Sequence, residues 1–369
     1  MPYIWQSANW YDFRWQSELL IEAVGRTRFS QGKLLSEVHA LGINMSQEAQ
    51  AEILTEETVR TSEIEGLKID RESVRSSVAK RLGLPSVGLR KPDRYTDGLV
   101  DVLLDATRNY NAPLTADRLK SWQAALFPTG YSGLCRIKTG NWRGSDPMQV
   151  ISGPIGREKI HFEAPPADRI EAEISRFLSW WETSAGKIEG LLRAGIAHFY
   201  FVTIHPFEDG NGRIARAITD MAFAQDEKLS TRFYTLSAQI MAERDEYYHI
   251  LERSQKGDGD ITAWLLWFIG CLERAIKSSE ILIAKVLAMA AFWQRHSQTP
   301  INDRQRKVIN RLLEAGRGGF EGGLTTRKYV SVAKVGRATA YREISDLLNK
   351  GILRTNQGKG RSVSYDLTW

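Results

Sequence analysis

Cysteine is scarce in this chain: there are two in 369 residues, Cys135 and Cys271, far apart and in no CxxC pair. A disulfide scaffold and a cysteine-rich zinc site are both excluded. Long apolar runs are missing as well. The longest, ITAWLLWFIGCL at residues 261–272, falls well short of the ~20 residues a membrane-spanning helix needs. The opening MPYIWQSANWYDF has neither the basic n-region nor the apolar h-region of a secretory signal. These absences lead us to expect a soluble, cytoplasmic protein with no membrane partner. There is no internal repeat, and His39, His161, His249 and His296 form no metal-ligand spacing. What is present, 42% hydrophobic and 25% charged residues, is ordinary globular composition for a chain long enough to build two or three domains.

A strong charge of one sign is confined to the end of the chain. The net charge is +6, yet residues 301–369 hold 14 Lys and Arg against 6 Asp and Glu, so the remainder is slightly acidic. Such an asymmetry is a statement about partners, and nucleic acid is the usual partner of a basic segment.

Punctuation and pattern divide the chain into residues 1–94, 95–297 and 298–369. In the first zone Trp5, Trp10 and Trp15 come at five-residue steps, and Leu34, Leu35, Val38 and Leu41 have helical spacing. Ser46 is placed as an N-cap before a polar helix-forming run to Glu65, with Glu48 in its first turn and Gly66 as the stop. The central zone reads as helices at 114–126, 168–183, 189–204, 212–225, 241–256 and 261–291. Two short β-prone runs, 148–152 and 159–162, flank GPIGRE; they predict a lone hairpin, too small for a core sheet and suited to a flap. The last zone reads helix, helix, helix and β-hairpin, the order of a winged helix-turn-helix, with helices at 325–333 and 337–350. The fold class expected is mostly α, with an N-terminal helical region, a helical core carrying the flap, and a C-terminal winged module.

The chemistry concentrates in residues 205–216, HPFEDGNGRIAR. An apolar helix ends where Pro206 forbids its continuation. Gly210 and Gly212 allow a tight turn with backbone N–H groups aimed inward, and a helix then starts whose N-terminal amides favour an anion. Arg213 and Arg216 are neighbours on one helix face. Together these make a polyphosphate cradle, for which Arg is well suited. Asp209 is the one carboxylate well placed in that loop to hold Mg²⁺, which binds through one or two carboxylates plus substrate phosphates. His205 stands at the loop mouth with the near-neutral pKa of a general base. His198, two turns earlier, reads as a core histidine.

The segment matches HPFx(D/E)GNGRxxR, and on it the chain resembles the Fic family of nucleotidyl transferases. The resemblance implies a Fic-type helical core that transfers AMP from ATP to a Tyr, Thr or Ser hydroxyl of a target protein, or of the chain itself, releasing pyrophosphate. By position, His205 would be the base and Asp209 the Mg²⁺ ligand. Gly210, Asn211 and Gly212 would form the anion hole, Arg213 and Arg216 would hold the β- and γ-phosphates, and Phe207 would be a buried anchor. Val150, Ile151, Ser152 and Gly153 resemble the family's flap, which aligns a target by strand-like pairing. Residues 244–258, RDEYYHILERSQKGD, resemble the segment that closes on adenine through Tyr247, Tyr248 and Gln255, the last standing where the family often has Asn. Thr61, Glu65 and Gly66 match the family's inhibitory helix motif, which implies an autoinhibited enzyme: Glu65 would pair with Arg216 and displace the γ-phosphate, while Thr61 fixes the helix. The resemblance alone implies a homodimer.

Two other readings stand beside this one. The same site would serve removal of AMP, with Glu65 positioning a water. Alternatively, the protein is a DNA-binding regulator whose core senses nucleotide. In that case Arg337, Thr339, Tyr341 and Arg342 would face DNA from the recognition helix, and Lys359 and Arg361 would touch phosphate from the wing tip, QGKGR.

Overall fold

A computed structural model describes residues 3–39, 43–84, 90–152, 159–316, 320–356 and 363–368. The backbone forms two compact units, Met1–Glu280 and Ile281–Trp369. In chain order the first holds α1 (Ser17–His39), α2 (Ile43–Ile64), α3 (Arg71–Leu82), α4 (Arg94–Arg108) and α5 (Ala116–Leu126). Then come β1 (Tyr131–Ser132), β2 (Cys135–Arg136), β3 (Gln149–Ser152) and β4 (Lys159–Glu163). They are followed by α6 (Ile170–Ser184), α7 (Gly190–Ile204), α8 (Asn211–Glu227), α9 (Leu236–Ala242) and α10 (Arg244–Gln255). The long α11 (Thr262–Arg295) runs from the first unit into the second. The second also holds α12 (Asp303–Ala315), α13 (Thr326–Ala333), α14 (Arg337–Asn349), β5 (Leu353–Thr355) and β6 (Tyr365–Leu367). The chain is mostly helical with a few short strands, as the sequence patterning predicts.

The core of the first unit is built on α7 and α8. Every residue of α7 from Leu191 to Ile204 is buried, as its apolar character on all sides requires. Gly195 lets α11 come close: a Cβ there would lie 2.9 Å from the Phe268 ring, and Trp264 Nε1 donates to the Gly195 carbonyl at 2.9 Å. α8 packs against α2, α4, α5 and α7. Side-chain caps fix the starts of several of these elements, Asp70 for α3, Asp93 for α4 and Thr115 for α5.

Four local features depart from the sequence reading. α2 begins at Ile43, so Ser46 and Glu48 lie inside it rather than at its cap and first turn; Glu48 instead reaches Arg75 of α3 at 3.1 Å. The run 241–256 is two helices, α9 and α10, broken at Glu243, whose carboxylate is held by Arg274 at 2.5 and 2.6 Å. The flap is not the only hairpin, because β1 and β2 form a second one ahead of it. Trp5 and Trp10 belong to a strap rather than a long helix: Trp5 Nε1 donates to the Glu163 carbonyl at 2.6 Å and Trp10 Nε1 to Glu173 at 3.2 Å, pinning the chain start to β4 and α6. α2 does end where glycine predicts, with Gly66 at φ +77°.

The second unit has its own core, in which Val308, Leu312, Leu324, Tyr329, Ile344 and Leu347 are buried together with Phe292. Asn302 and Gln305 cap α12 reciprocally. Glu343, buried on α14, accepts from Arg304 at 2.6 Å and from the Tyr329 hydroxyl at 2.8 Å, tying α12, α13 and α14 together. β5 and β6 pair antiparallel.

Candidate functional site

The helix–loop–helix joining α7 to α8 carries the candidate site residues. His205 terminates α7 in the left-handed region (φ 51°, ψ 58°), its N–H bonded to the Phe201 carbonyl at 3.1 Å. Nδ1 lies 3.2 Å from the Val202 carbonyl oxygen. That nitrogen therefore donates, and Nε2 keeps the lone pair a base needs. Burial pushes the His205 pKa below its ordinary value, and the nearby Arg143 cation pushes the same way. The bond to Val202 and the charges of Glu65 and Asp209 oppose them.

The loop is braced from within. Asn211 accepts from the Phe207 N–H at 3.0 Å and donates to the Phe207 carbonyl at 2.9 Å, closing the turn over a fully buried Phe207 ring. Gly210, at φ +94°, stands where a Cβ would meet Phe127 at 3.0 Å. The amides of α8's first turn are thus held in place with no side-chain cap, the condition in which a helix start receives an anion.

Two guanidiniums rise beside those amides. Arg213 donates to the Tyr95 hydroxyl at 3.0 Å and to Asp209 at 3.2 Å, with its guanidinium 4.8 Å from the Phe127 ring centroid. Arg216 donates from Nε to Thr61 Oγ1 at 2.6 Å, and from Nη2 to the Thr61 carbonyl at 3.0 Å and Glu65 Oε1 at 2.7 Å. Both side chains are almost fully buried, yet Arg213 Nε and Arg216 Nη1 have no partner among the described residues. Orphaned donors on buried cations are costly, and phosphate oxygens would satisfy them. Glu65 occupies the space that a Cβ on Gly212 would fill, with Oε1 2.4 Å from that point.

Asp209 accepts from the Gly210 N–H and Arg213 on one oxygen and from the Ser132 hydroxyl of β1 on the other, and its side chain is 37% exposed. Glu208 is turned away to the Lys138 N–H at 2.9 Å. Among the described residues no three His, Cys, Asp or Glu are grouped to hold a metal ion. One half-open carboxylate fits a Mg²⁺ that arrives on a polyphosphate, and does not fit a resident cation.

The other residues singled out in the sequence fall as follows. Tyr247 is buried, its hydroxyl 2.9 Å from His198 Nε2, and His198 Nδ1 is 3.0 Å from Thr219 Oγ1. Tyr248 is half-buried with the Arg244 guanidinium 5.0 Å from its ring centroid, and Gln255 is buried and donates to Thr203 at 3.2 Å. In the flap, β3 and β4 pair antiparallel with an irregularity between Val150 and Ile151. Ile151 and its partner Ile160 are exposed, and His161 meets Glu252 of α10 at 2.6 Å. Ser152 ends β3, and Gly153 lies outside the described residues. In α14, Arg337, Tyr341 and Arg342 are exposed and Thr339 is half-buried; Lys359 and Arg361 lie outside the described residues.

Sequence reasoning passed over five residues that shape the site. Ser132 and Tyr95 hold Asp209 and Arg213, and Arg244 bonds the Ile64 carbonyl at the end of α2 at 2.9 Å. Glu57, one turn before Thr61, is buried and accepts from Thr235 Oγ1 at 2.6 Å and the Ser237 N–H at 3.1 Å. Arg143 donates from Nε to the His205 carbonyl at 2.8 Å, from Nη2 to the Pro165 carbonyl, and from its backbone N–H to the Pro206 carbonyl at 2.9 Å. Four of the five sit in no periodic pattern, and Glu57 alone has one, the four-residue spacing it shares with Thr61 and Glu65.

Against known proteins, residues 113–223 match the Fic/DOC family and residues 3–84 match a domain of unknown function, DUF4172. The chain is 27% identical over 136 residues to a protein named protein adenylyltransferase Fic in Drosophila mojavensis, covering 36% of this chain and 25% of that one. It is 31% identical over 116 residues to a protein of the same name in Nematostella vectensis, covering 30% of this chain and 25% of that one. The matched part is thus about a quarter of each curated relative. Among solved structures, a Fic family protein from Desulfovibrio desulfuricans G20 superposes with a TM-score of 0.52 at 19% identity, covering 95% of this chain and 96% of that one. A Fic domain containing signaling protein from Bacteroides thetaiotaomicron gives 0.55 at 17%, covering 71% and 97%. These two establish likeness of fold. No helix among the described residues is long and apolar enough to cross a membrane.

Proposed function

Because the chain carries a Fic domain over residues 113–223, we propose that it transfers AMP from ATP to a hydroxyl side chain of a target protein, and that α2 holds this activity in check. The observation that carries the reading is Arg216, a buried guanidinium with one donor orphaned and another bonded to Glu65, beside the uncapped start of α8. A triphosphate would engage the α8 amides and the two guanidiniums. His205 Nε2 takes the proton of the target hydroxyl while its oxygen attacks the α-phosphorus. The bond from that phosphorus to the bridging oxygen breaks, and pyrophosphate leaves. A Mg²⁺ held by Asp209 and the phosphates would neutralise charge on the leaving group.

Glu65 opposes this sequence by electrostatics and by occupancy. Its carboxylate takes the Arg216 donor intended for a phosphate oxygen and repels the phosphate's negative charge. Shifting the C-terminal turn of α2 lifts both effects, which makes the helix a switch. The flap strand β3 offers a backbone edge to an extended target segment.

The test is incubation with Mg²⁺ and α-labelled ATP, following label retained on protein. Glu65→Gly is expected to label at least tenfold more than wild type, on the order of the population shift a lost ion pair allows, and Glu65→Gly/His205→Ala is expected not to label. A Glu65→Gly protein that stays unlabelled even with cell extract as target would sink the transfer reading.

We read residues 298–369 as a winged helix-turn-helix able to bind DNA. The observation favouring this is the exposed row Arg337, Tyr341 and Arg342 on α14 within a segment of strong positive excess. Labelled duplex DNA titrated with salt tests it: binding that weakens steeply with salt is expected, and no binding at low salt removes the reading.

A further inference from the structure

We propose that Arg143 is the positioning residue for His205: one side chain fixes the backbone on which the imidazole is mounted and joins that backbone to the base of the flap. This rests on the transfer reading above and concerns the same site. Arg143 lies in the stretch between β2 and β3, away from the 205–216 segment.

The case starts from what the guanidinium holds. Its Nε donates to the carbonyl of His205 and its Nη2 to the carbonyl of Pro165, two residues past the end of β4, while the Arg143 N–H takes the Pro206 carbonyl. His205 is one of three non-glycine residues with positive φ among the described residues. Such a conformation persists only when its surroundings over-determine it, and these donors from one residue add to the bonds His205 makes to the Phe201 and Val202 carbonyls. A change at the flap base is therefore felt at His205 through a single planar, pre-organised fork.

The second strand of the case is charge. Arg143 is buried, and among the described residues it has no carboxylate partner, only carbonyl oxygens. The charge strengthens those bonds, but a buried cation with no counter-charge is expensive. After burial, its charge disfavours the protonated form of the His205 imidazole. The other charged groups facing that ring are Glu65 and Asp209, which act oppositely. Burial and then the Arg143 charge lower the ring's pKa, and withdrawing Glu65 removes one of the two carboxylates that oppose them.

The experiment uses the full chain in the Glu65→Gly background, with Arg143→Lys and Arg143→Gln added separately. AMP transfer is followed against pH, and the His205 ring titration is followed by proton NMR. Arg143→Gln is expected to move the acid limb of the rate profile and the ring titration upward by about half a unit or more, with kcat down and the KM for ATP within about twofold. Arg143→Lys is expected to leave the limb in place while kcat falls at least fivefold, because an ammonium cannot span both carbonyls. A Gln variant whose limb and ring titration stay put, or a Lys variant with parental kcat, overturns the proposal. If Arg143→Gln does not fold, the Lys variant alone decides. If the Glu65→Gly parent itself fails to label, the transfer reading has failed, and the NMR titration still tests the charge argument.

Discussion

At the scale of single residues, the site depends on atoms that are missing as much as on those present. Gly212 has no Cβ, and Glu65 Oε1 sits 2.4 Å from where one would be. Adding that methyl should destabilise the protein by about 1–3 kcal/mol through overpacking, and most of this should disappear when the carboxylate is removed. A double-mutant cycle on denaturant unfolding of Gly212→Ala, Glu65→Gly and the pair reads the coupling; additive effects would mean that Glu65 does not occupy this space in solution. Residues of this kind were partly legible in the sequence. His205, Asp209 and the two arginines could be read from one twelve-residue segment because a proline stop, two glycines and a helix start force them together. Arg143, Ser132 and Tyr95 could not, since each reaches the site from a distant stretch through a contact that only tertiary packing creates.

Among the elements, α2 bears the argument about restraint. Glu57, Thr61 and Glu65 lie at four-residue intervals and so share a face. The last two meet Arg216, while Glu57 is held by Thr235 and Ser237 at the start of α9. The helix is thus fastened at a second point outside the phosphate cradle. Glu57→Ala strips buried donors of their acceptor, a loss of about 1–3 kcal/mol, and should raise basal labelling severalfold with Glu65 and Arg216 untouched. Unchanged labelling would assign the whole hold on α2 to Thr61 and Glu65. Two helix ends followed their punctuation in the sequence, while the start of α2 at Ile43 did not follow Ser46. α2 stops at its glycine and α7 at its proline, whereas the break between α9 and α10 has neither and was read through. β1 and β2, at two residues each, are too short to show any alternation.

Over the whole molecule, the two units carry separate cores, and the candidate chemistry lies entirely in the first. Leu347→Ala, which empties a fully buried position in the second core, should cost about 2–5 kcal/mol there. Calorimetry should show one transition lowered, while labelling by the Glu65→Gly form stays within twofold of its parent; a loss of labelling in step with that transition would mean the units unfold as one. Sequence patterning reached the helix order of the second unit through the helical spacing of Val308, Ile309, Leu312 and Leu313 and the glycine-rich turn after them, and it missed the N-terminal strap because tryptophans at five-residue steps match neither the helix nor the strand period. One further consequence belongs to the molecule's heat resistance. The left-handed turn at His205 is a conformation glycine adopts freely and histidine does not. Both His205→Gly and His205→Ala should be inactive, but the glycine variant should outlast the alanine one in thermal unfolding by about 1 kcal/mol. On the transfer reading proposed above, the residue that suits this turn best is one that cannot act as the base.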